Sequence, residues 1–421
     1  MQIMTHGRGL YAWVTSVALA QSGHAVTLVC CTDPDDEVRL EPKLLERAQA
    51  LQTEGQLTVL SALPKELPAV HFLGLASGGG AALDQRAKAI VENTLQDVTL
   101  VVLNTTPVGT LDALQAELEV MAQGRSVTVL ALPLFVRSGR ALADFSEPPL
   151  LLIGEPYAGA ADELLDWLRP YSRNALDTLP VPLAAAELTK FAINAMLATR
   201  ISLMNELAGL AGRMQVDIEL VREGMAADPR IGPDYLQPGC GFGGPSFTDE
   251  LFKFAESLRE AGGQPGVLDA VLRINAEQRE KPFRQLWRHY QGQLSGRRVA
   301  LWGVAFKPGA ASVEHSPVHA LLSALLAQGV DVVVHDPKAV PALLAQYPDA
   351  AITVAETPVA AAMGADAVLL LTAWPVYHNP DYAALHAAMR HPVIIDGRNV
   401  FEPDMMEQAG FVYYGVGRGR A

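Results

Sequence analysis

Short apolar runs alternate with helix-forming stretches along the first 150 or so residues, and no other feature narrows the fold as much. Runs at residues 2–5, 25–30, 70–75, 99–103, 127–132 and 150–153 read as strands, with a helix over 12–22 between the first two. Such alternation implies βαβ units and a parallel sheet. The run at 25–30 is continuously apolar, as a strand covered on both faces requires. From 184 to about 214 the texture changes. Proline is absent there, glycine comes only at 209 and 212, and strong helix formers fill the rest. A helix of that length at mid-chain is expected to link domains or to form an oligomer interface. A Gly/Pro-rich loop at 229–245 follows, then more helix to about 290. At 296 the βαβ texture resumes, with strands over 298–304, 330–335, 367–372 and 393–395 and a helix over 318–328. The expectation is α/β, then helical, then α/β.

Composition excludes some partners. Lys and Arg total 32 against 46 Asp and Glu, a formal net charge of −14. Such an acidic chain is not expected to bind nucleic acid or an anionic membrane. The three cysteines, Cys30, Cys31 and Cys240, make no disulfide framework, which suits a reducing cytoplasm. The N-terminus has no basic stretch leading into an apolar one, so no signal peptide is expected. No apolar run is long enough to span a bilayer. The longest, 361–374, is interrupted by Asp366 and reads as a helix end plus a buried strand. No metal site is expected.

Several motifs carry possible chemistry. Gly7-Arg8-Gly9-Leu10-Tyr11-Ala12 is a G-x-G-x-x-A turn between the first strand and the first helix. Its glycines allow a tight turn and a close approach to a pyrophosphate, and the helix N-terminus supplies free N–H groups. The bland alternative is a glycine turn with no ligand. An acid normally ends the second strand of such a site, to hold the adenosine ribose. Here Cys30 stands there, and the first acid, Asp33, lies past the strand end. Asn104-Thr105-Thr106-Pro107-Val108-Gly109-Thr110 follows a strand and is by itself an ordinary loop. Glu187, Lys190 and Asn194 share one face of the central helix. A lysine and an amide there suit a developing alkoxide; a solvated or capping face is the alternative. Four glycines crowd Gly239-Cys240-Gly241-Phe242-Gly243-Gly244, as a backbone wrapped closely round a ligand would need. Phe306-Lys307-Pro308 and Asp396-Gly397-Arg398-Asn399 each follow a strand, and each alone is unspecific.

In order and spacing these motifs resemble the UDP-glucose/GDP-mannose dehydrogenase family across the whole chain. The resemblance includes the glycine turn, the T-x-P-V-G-T loop, Glu187-Leu188-Thr189-Lys190 with Asn194, and Asn205-Glu206-Leu207-Ala208. It continues through Asp228-Pro229-Arg230-Ile231-Gly232, Gly241 to Gly244, Phe306-Lys307-Pro308, Asp336-Pro337, Thr372-x-Trp374, Asp396 to Asn399 and Tyr414 to Arg418. It implies an α/β fold of two Rossmann-like parallel-sheet domains joined by a central helical dimerisation domain. The expected boundaries are 1–183 for NAD, 184–292 for the homodimer and 293–421 for the UDP-sugar. It implies oxidation of a sugar C6 alcohol to the carboxylate by two hydride transfers to NAD, through a cysteine-bound thioester. By the same resemblance Lys190, Asn194, Ser246 and Glu250 take the catalytic positions. Phe135, Arg230, Gly241, Phe242, Gly243, Gly244, Phe306, Lys307 and Arg398 take the substrate positions, with Arg230 lent by a neighbouring subunit. Gly7, Gly9, Leu10, Tyr11 and Thr105 take the cofactor positions.

The sequence departs from that pattern where chemistry is concentrated. The family's G-F-G-G-S-C-F-P-K-D reads Gly241-Phe242-Gly243-Gly244-Pro245-Ser246-Phe247-Thr248-Asp249-Glu250, with Ser246 for the nucleophilic cysteine. A serine hydroxyl without a base is essentially never ionised, whereas a thiol partly is, and no histidine is evident near it in sequence. The two glutamates of N-P-E-F-x-x-E-G are Leu134 and Ser138. The Thr-Pro after the third strand is replaced around Ala76 to Gly79, and an expected cofactor-side arginine is Glu314. Cys240 is read as an ordinary small residue rather than a substitute nucleophile. Losses fall on the NAD side and matches on the sugar side. Three readings follow: a nucleotide-sugar-binding homologue with impaired chemistry and weakened NAD binding, acting in exopolysaccharide production; a working dehydrogenase with altered chemistry; and a structural oligomer without ligand.

Overall fold

All ten strands expected from sequence form, and four more join them at the sheet margins. The computed structural model describes residues 1–30, 33–75, 80–148, 150–172 and 178–418. Contacts group the chain into two units, Met1–Ile193 and Asn194–Ala421.

The first unit runs β1 (Gln2–His6), α1 (Leu10–Gln21), β2 (Ala25–Val29), α2 (Asp36–Leu40), α3 (Leu44–Thr53), β3 (Leu57–Leu60), β4 (Val70–Leu73) and α4 (Gly80–Asn93). It continues with β5 (Val98–Val102), α5 (Thr110–Met121), β6 (Val127–Ala131), α6 (Ala141–Ser146), β7 (Leu151–Glu155), α7 (Asp162–Leu168) and β8 (Thr178–Pro182). The sheet order is β3-β2-β1-β4-β5-β6-β7-β8. All pairings are parallel except β6 with β7. Interior strands such as β4 are buried at every residue, which is why they read as largely apolar runs. One core packs Ile3, Phe72 and Val101 under α1; a second packs Met4, Leu73 and Val102 under α4 and α5.

Two histidines interrupt that second apolar face. His6 and His71, both fully buried, share a 2.9 Å hydrogen bond, and His71 reaches the Pro68 carbonyl at 2.8 Å. Burial holds both neutral: His71 is lowered to about 4, and His6 falls well below the usual imidazole value, with His71 and Arg86 adding to the effect.

The helix α8 (Leu183–Met214) begins in the first unit and ends in the second. The second unit continues with α9 (Ile218–Ala227), α10 (Pro245–Glu260) and α11 (Gly266–His289). Its sheet contains β9 (Arg298–Trp302), β10 (Asp331–His335), β11 (Ile352–Val354), β12 (Ala367–Leu370), β13 (Val393–Asp396) and β14 (Val412–Gly415). The order is β11-β10-β9-β12-β13-β14, all parallel. Helices α12 (Val318–Ala327), α13 (Val340–Gln346), α14 (Pro358–Ala362), α15 (Tyr382–Ala388) and α16 (Pro403–Gln408) intervene. The run at 361–374 resolves as expected into the end of α14 and the buried strand β12. No helix among the described residues is long and apolar enough to cross a membrane.

Candidate functional site

In the first unit the glycine turn joins β1 to α1. Gly7 has φ +132°, and a Cβ there would collide with the Gly74 carbonyl, so only glycine fits. Gly9 is the N-cap of α1 and brings no side-chain cap of its own. Cys30 follows β2 and is buried, while Asp33 is exposed and pairs with Arg39 at 3.5 Å. The next acid comes closer. Asp35 caps α2 by accepting from the Val38 N–H at 3.0 Å, and its other oxygen, Oδ2, lies 3.3 Å from where a Cβ on Gly9 would be. The cysteine Cys31 and the stretch Ala76 to Gly79 lie outside the described residues.

Thr105 is half-buried in the loop after β5. That loop is held by Glu187 of α8. The Glu187 carboxylate accepts from Thr106 Oγ1 at 2.8 Å, from the Gly109 N–H at 2.6 Å and from the Leu111 N–H at 3.1 Å. Burial pushes its pKa up to about 7, against the pull of those three donors. One turn on, Lys190 donates to the Leu134 carbonyl at 2.8 Å and sits 4.5 Å from the centre of the Phe135 ring. Leu134 itself is buried in the core with Phe145 and Tyr171. Ser138 donates to Glu37 at 3.3 Å, and Glu41 accepts from the N–H groups of Gly139 and Ala141 at 2.6 and 2.7 Å.

In the second unit the glycine loop leads directly into α10 and packs against Phe306 and His315. The glycines of the preceding loop meet protein. A Cβ on Gly243 would collide with the His315 carbonyl, and one on Gly244 would lie 2.6 Å from the Phe306 ring. The loop is also bonded at its peptide groups. Asn275 exchanges hydrogen bonds with the Phe242 backbone at 2.8 and 3.1 Å, Arg279 donates to the Phe242 carbonyl at 2.8 Å, and Gly244 N–H donates to the Glu314 carbonyl at 2.9 Å. The glycines are therefore explained by packing on Phe306 and His315, before any ligand is considered. Glu314 itself is exposed; its main chain is what the loop uses.

Asn194 donates directly to the Glu250 carboxylate, and both are buried. Ser246, the second residue of α10, is exposed. No hydrogen bond to its hydroxyl is found among the described residues. A histidine does come close in the fold. His315 Nε2 bonds Asp249 at 2.7 Å, one helical turn beyond Ser246. Sequence reading missed it because it lies 69 positions away from Ser246 along the chain. Cys240 is fully buried, its thiol aimed at the Leu371 carbonyl at 3.7 Å, and burial pushes its pKa up. A protonated, enclosed thiol is no nucleophile.

Arg398 donates through Nε to the Leu371 carbonyl at 2.7 Å, while its buried Nη2 finds no partner among the described residues. Lys307 is half-buried beside Phe306. Arg230 is exposed and grips Asp228, its Nη2 2.6 Å from the carboxylate. Arg200 of α8 holds the same loop through the carbonyls of Ile231 and Gly232, at 2.8 and 2.9 Å. Within the first unit Glu187 and Lys190 thus serve different loops, after β5 and after β6, and within the second Asn194 serves α10.

Comparison with known proteins follows the same lines. Residues 184–277 match the central domain of the UDP-glucose/GDP-mannose dehydrogenase family, and residues 300–403 match its UDP binding domain. The chain is 36% identical to a UDP-glucose 6-dehydrogenase of Pseudomonas aeruginosa, covering 100% of this chain and 98% of that one. It is 31% identical to the UDP-glucose 6-dehydrogenase YwqF of Bacillus subtilis, covering 99% and 98%. The structure of a UDP-glucose dehydrogenase from the archaeon Pyrobaculum islandicum superposes with a TM-score of 0.87 at 31% identity, covering 100% of this chain and 98% of that one.

Proposed function

Because the chain belongs to the UDP-glucose/GDP-mannose dehydrogenase family, whose members are NAD-dependent nucleotide-sugar dehydrogenases, we propose that it binds a UDP-glucose-like nucleotide sugar but does not carry the sugar to the uronate. The observation that carries this reading is Ser246. It stands where the family's thiol is expected, is exposed, and has no base bonded to it among the described residues. Cys240 offers no replacement, because its thiol is enclosed and protonated. Leu134, turned into the core, supplies no carboxylate for a water step.

The sugar side is better kept. The buried Nη2 of Arg398, unpartnered among the described residues, is a donor an anionic ligand would satisfy. Phe306 packs against the peptide-bonded loop from Gly241 to Gly244 that leads into α10, and Lys307 lies over the Phe306 ring. In this reading residues 1–183 descend from a cofactor domain, 184–292 form the dimer and 293–421 bind the nucleotide. Met196, Leu203 and Leu210 recur at intervals of seven along α8, 63%, 46% and 46% exposed in the single chain. Such a stripe fits a homodimer made by two copies of this helix. An exposed Arg230, paired with Asp228, is compatible with contact to a second copy in this reading. A free, buried thiol at Cys240 suits a cytoplasmic protein, and a supporting role in polysaccharide precursor supply fits a sugar-binding protein without turnover.

The test is an NADH-formation assay with UDP-glucose and related UDP- and GDP-sugars, run beside thermal-shift titrations. Native-state binding must raise Tm. The proposal expects a shift with UDP-glucose and no NADH; steady turnover, or no shift with any nucleotide sugar, overturns it.

A further inference from the structure

We infer that the N-terminal glycine turn is filled by the chain's own Asp35, so that the protein takes no NAD. This rests on the reading above, in which the hydride chemistry is lost. The second glycine of such a turn exists so that a pyrophosphate can approach the backbone. That glycine is Gly9, and Asp35 Oδ2 already lies against it, 3.3 Å from its Cβ position. The positive end of α1 attracts a carboxylate as it would a phosphate. Asp35 is fixed there, because its other oxygen caps α2 at Val38.

The second unit shows the finished form of this arrangement. There Asp336, just after β10, accepts from the Val304 and Ala305 N–H groups that follow β9, at 2.7 and 2.9 Å, and from Trp374 Nε1 at 3.0 Å. A carboxylate from beyond the second strand thus occupies the turn after the first. In the N-terminal unit the residue just after β2 is Cys30, and Asp35, five residues further on, is the carboxylate that reaches Gly9 instead.

The surroundings oppose a dinucleotide as well. Cys30 brings no acid to the ribose position. Glu37 faces the Ser138 hydroxyl near the same turn, adding negative charge. The nearby cations are engaged: Arg39 with Asp33, and Arg137 in a two-pronged pair with Asp144 that Arg140 also approaches at 3.9 Å. Arg8, exposed within the turn, would welcome a phosphate. A pyrophosphate would have to displace Asp35 or sit beside it against like charge.

The experiment is calorimetric and thermal-shift titration of full-length protein with NAD, for the wild type and for Asp35→Ser. Serine keeps the α2 cap, and an unchanged response to UDP-glucose confirms that the variant is folded. The wild type is expected to give no heat and no shift with NAD up to about 10 mM, whereas the variant gains NAD affinity by roughly tenfold or more, as removal of a like charge from an anion site should. Saturable binding of NAD to the wild type overturns the inference. So does a variant that answers to UDP-glucose but stays silent to NAD. Absence of any UDP-glucose response in the wild type would instead sink the functional reading, and the NAD titrations would still decide the role of Asp35.

Discussion

Replacing Glu187 by alanine probes the joint between α8 and the loop after β5. The carboxylate takes three donors, from Thr106, Gly109 and Leu111. Losing them would cost about 3 kcal/mol with the acid neutral, taking about 1 for each bond. Against that stands the net burden of burying the charge, in which the stronger bonds to the ionised form are already included. The folded pKa is about 7 against an ordinary value of 4.5. At pH 8 that difference corresponds to about 3 kcal/mol of penalty, which alanine removes. At pH 8 the variant should therefore lie within about 1 kcal/mol of the wild type. The sign at lower pH follows from linkage. A carboxyl whose folded pKa is raised contributes most below its unfolded pKa, and that contribution fades as pH rises toward 7. The gap between wild type and Glu187→Ala should therefore widen by about 2 to 3 kcal/mol on going from pH 8 to pH 5. Urea denaturation at the two pH values measures the gap. Hydrogen exchange at the Gly109 and Leu111 amides reports the same joint locally, and both should lose protection in the variant. If the gap is flat or narrows toward pH 5, the ionised form is the one the loop prefers, and the claim that burial dominates is wrong.

Other outcomes follow from the same geometry. His6 and His71 have depressed folded values, so their contribution is present above the unfolded value near 6.5 and is lost as pH falls toward 4; a His6→Leu/His71→Leu variant should show a flatter stability profile over that window in thermal melts. Gly244→Ala should destabilise the chain by about 2 kcal/mol or more, because φ is +97° and the new methyl would meet the Phe306 ring; unchanged denaturation midpoints would refute the packing account of the loop. Asn194→Ala leaves the buried Glu250 carboxylate short of a donor, so a loss of about 1 to 3 kcal/mol is expected in chemical denaturation. Cys240 should resist thiol reagents in the native protein and react fully once unfolded, read by absorbance with an aromatic disulfide.

The ten strands visible in the sequence are the interior strands of the two sheets. Those that escaped notice, β3, β8, β11 and β14, are the four edges. The reason is burial: an interior strand is covered on both faces and reads as a largely apolar run, whereas β8 and β11 are largely exposed and carry no such signal. The site was legible in the same uneven way. Motif order placed Lys190, Asn194, Ser246 and Glu250 in sequence, and the structure brings Asn194 to Glu250. Spacing along a helix could not say that Glu187 faces a different loop from Lys190. Nor could it bring His315 to Asp249 or Asp35 to Gly9, since those meetings are made by chain reversals. The crowded glycines of the loop from Gly239 to Gly244 have two physical explanations, a ligand or a close protein neighbour, and the fold supplies the neighbour in Phe306 and His315.

The edge strand β8 has a consequence for assembly. Its sequence, Thr-Leu-Pro-Val-Pro, pairs with β7 on one side, with Pro180 opposite Ile153 and Pro182 opposite Glu155. The two prolines share one parity, so the direction in which each would have donated is away from β7. The open side of this sheet therefore lacks two of the amide hydrogens a further strand would need. A second chain cannot easily be zipped on there as a continuation of the sheet. Contacts between copies are left to side chains, and immediately after Pro182 the chain enters α8.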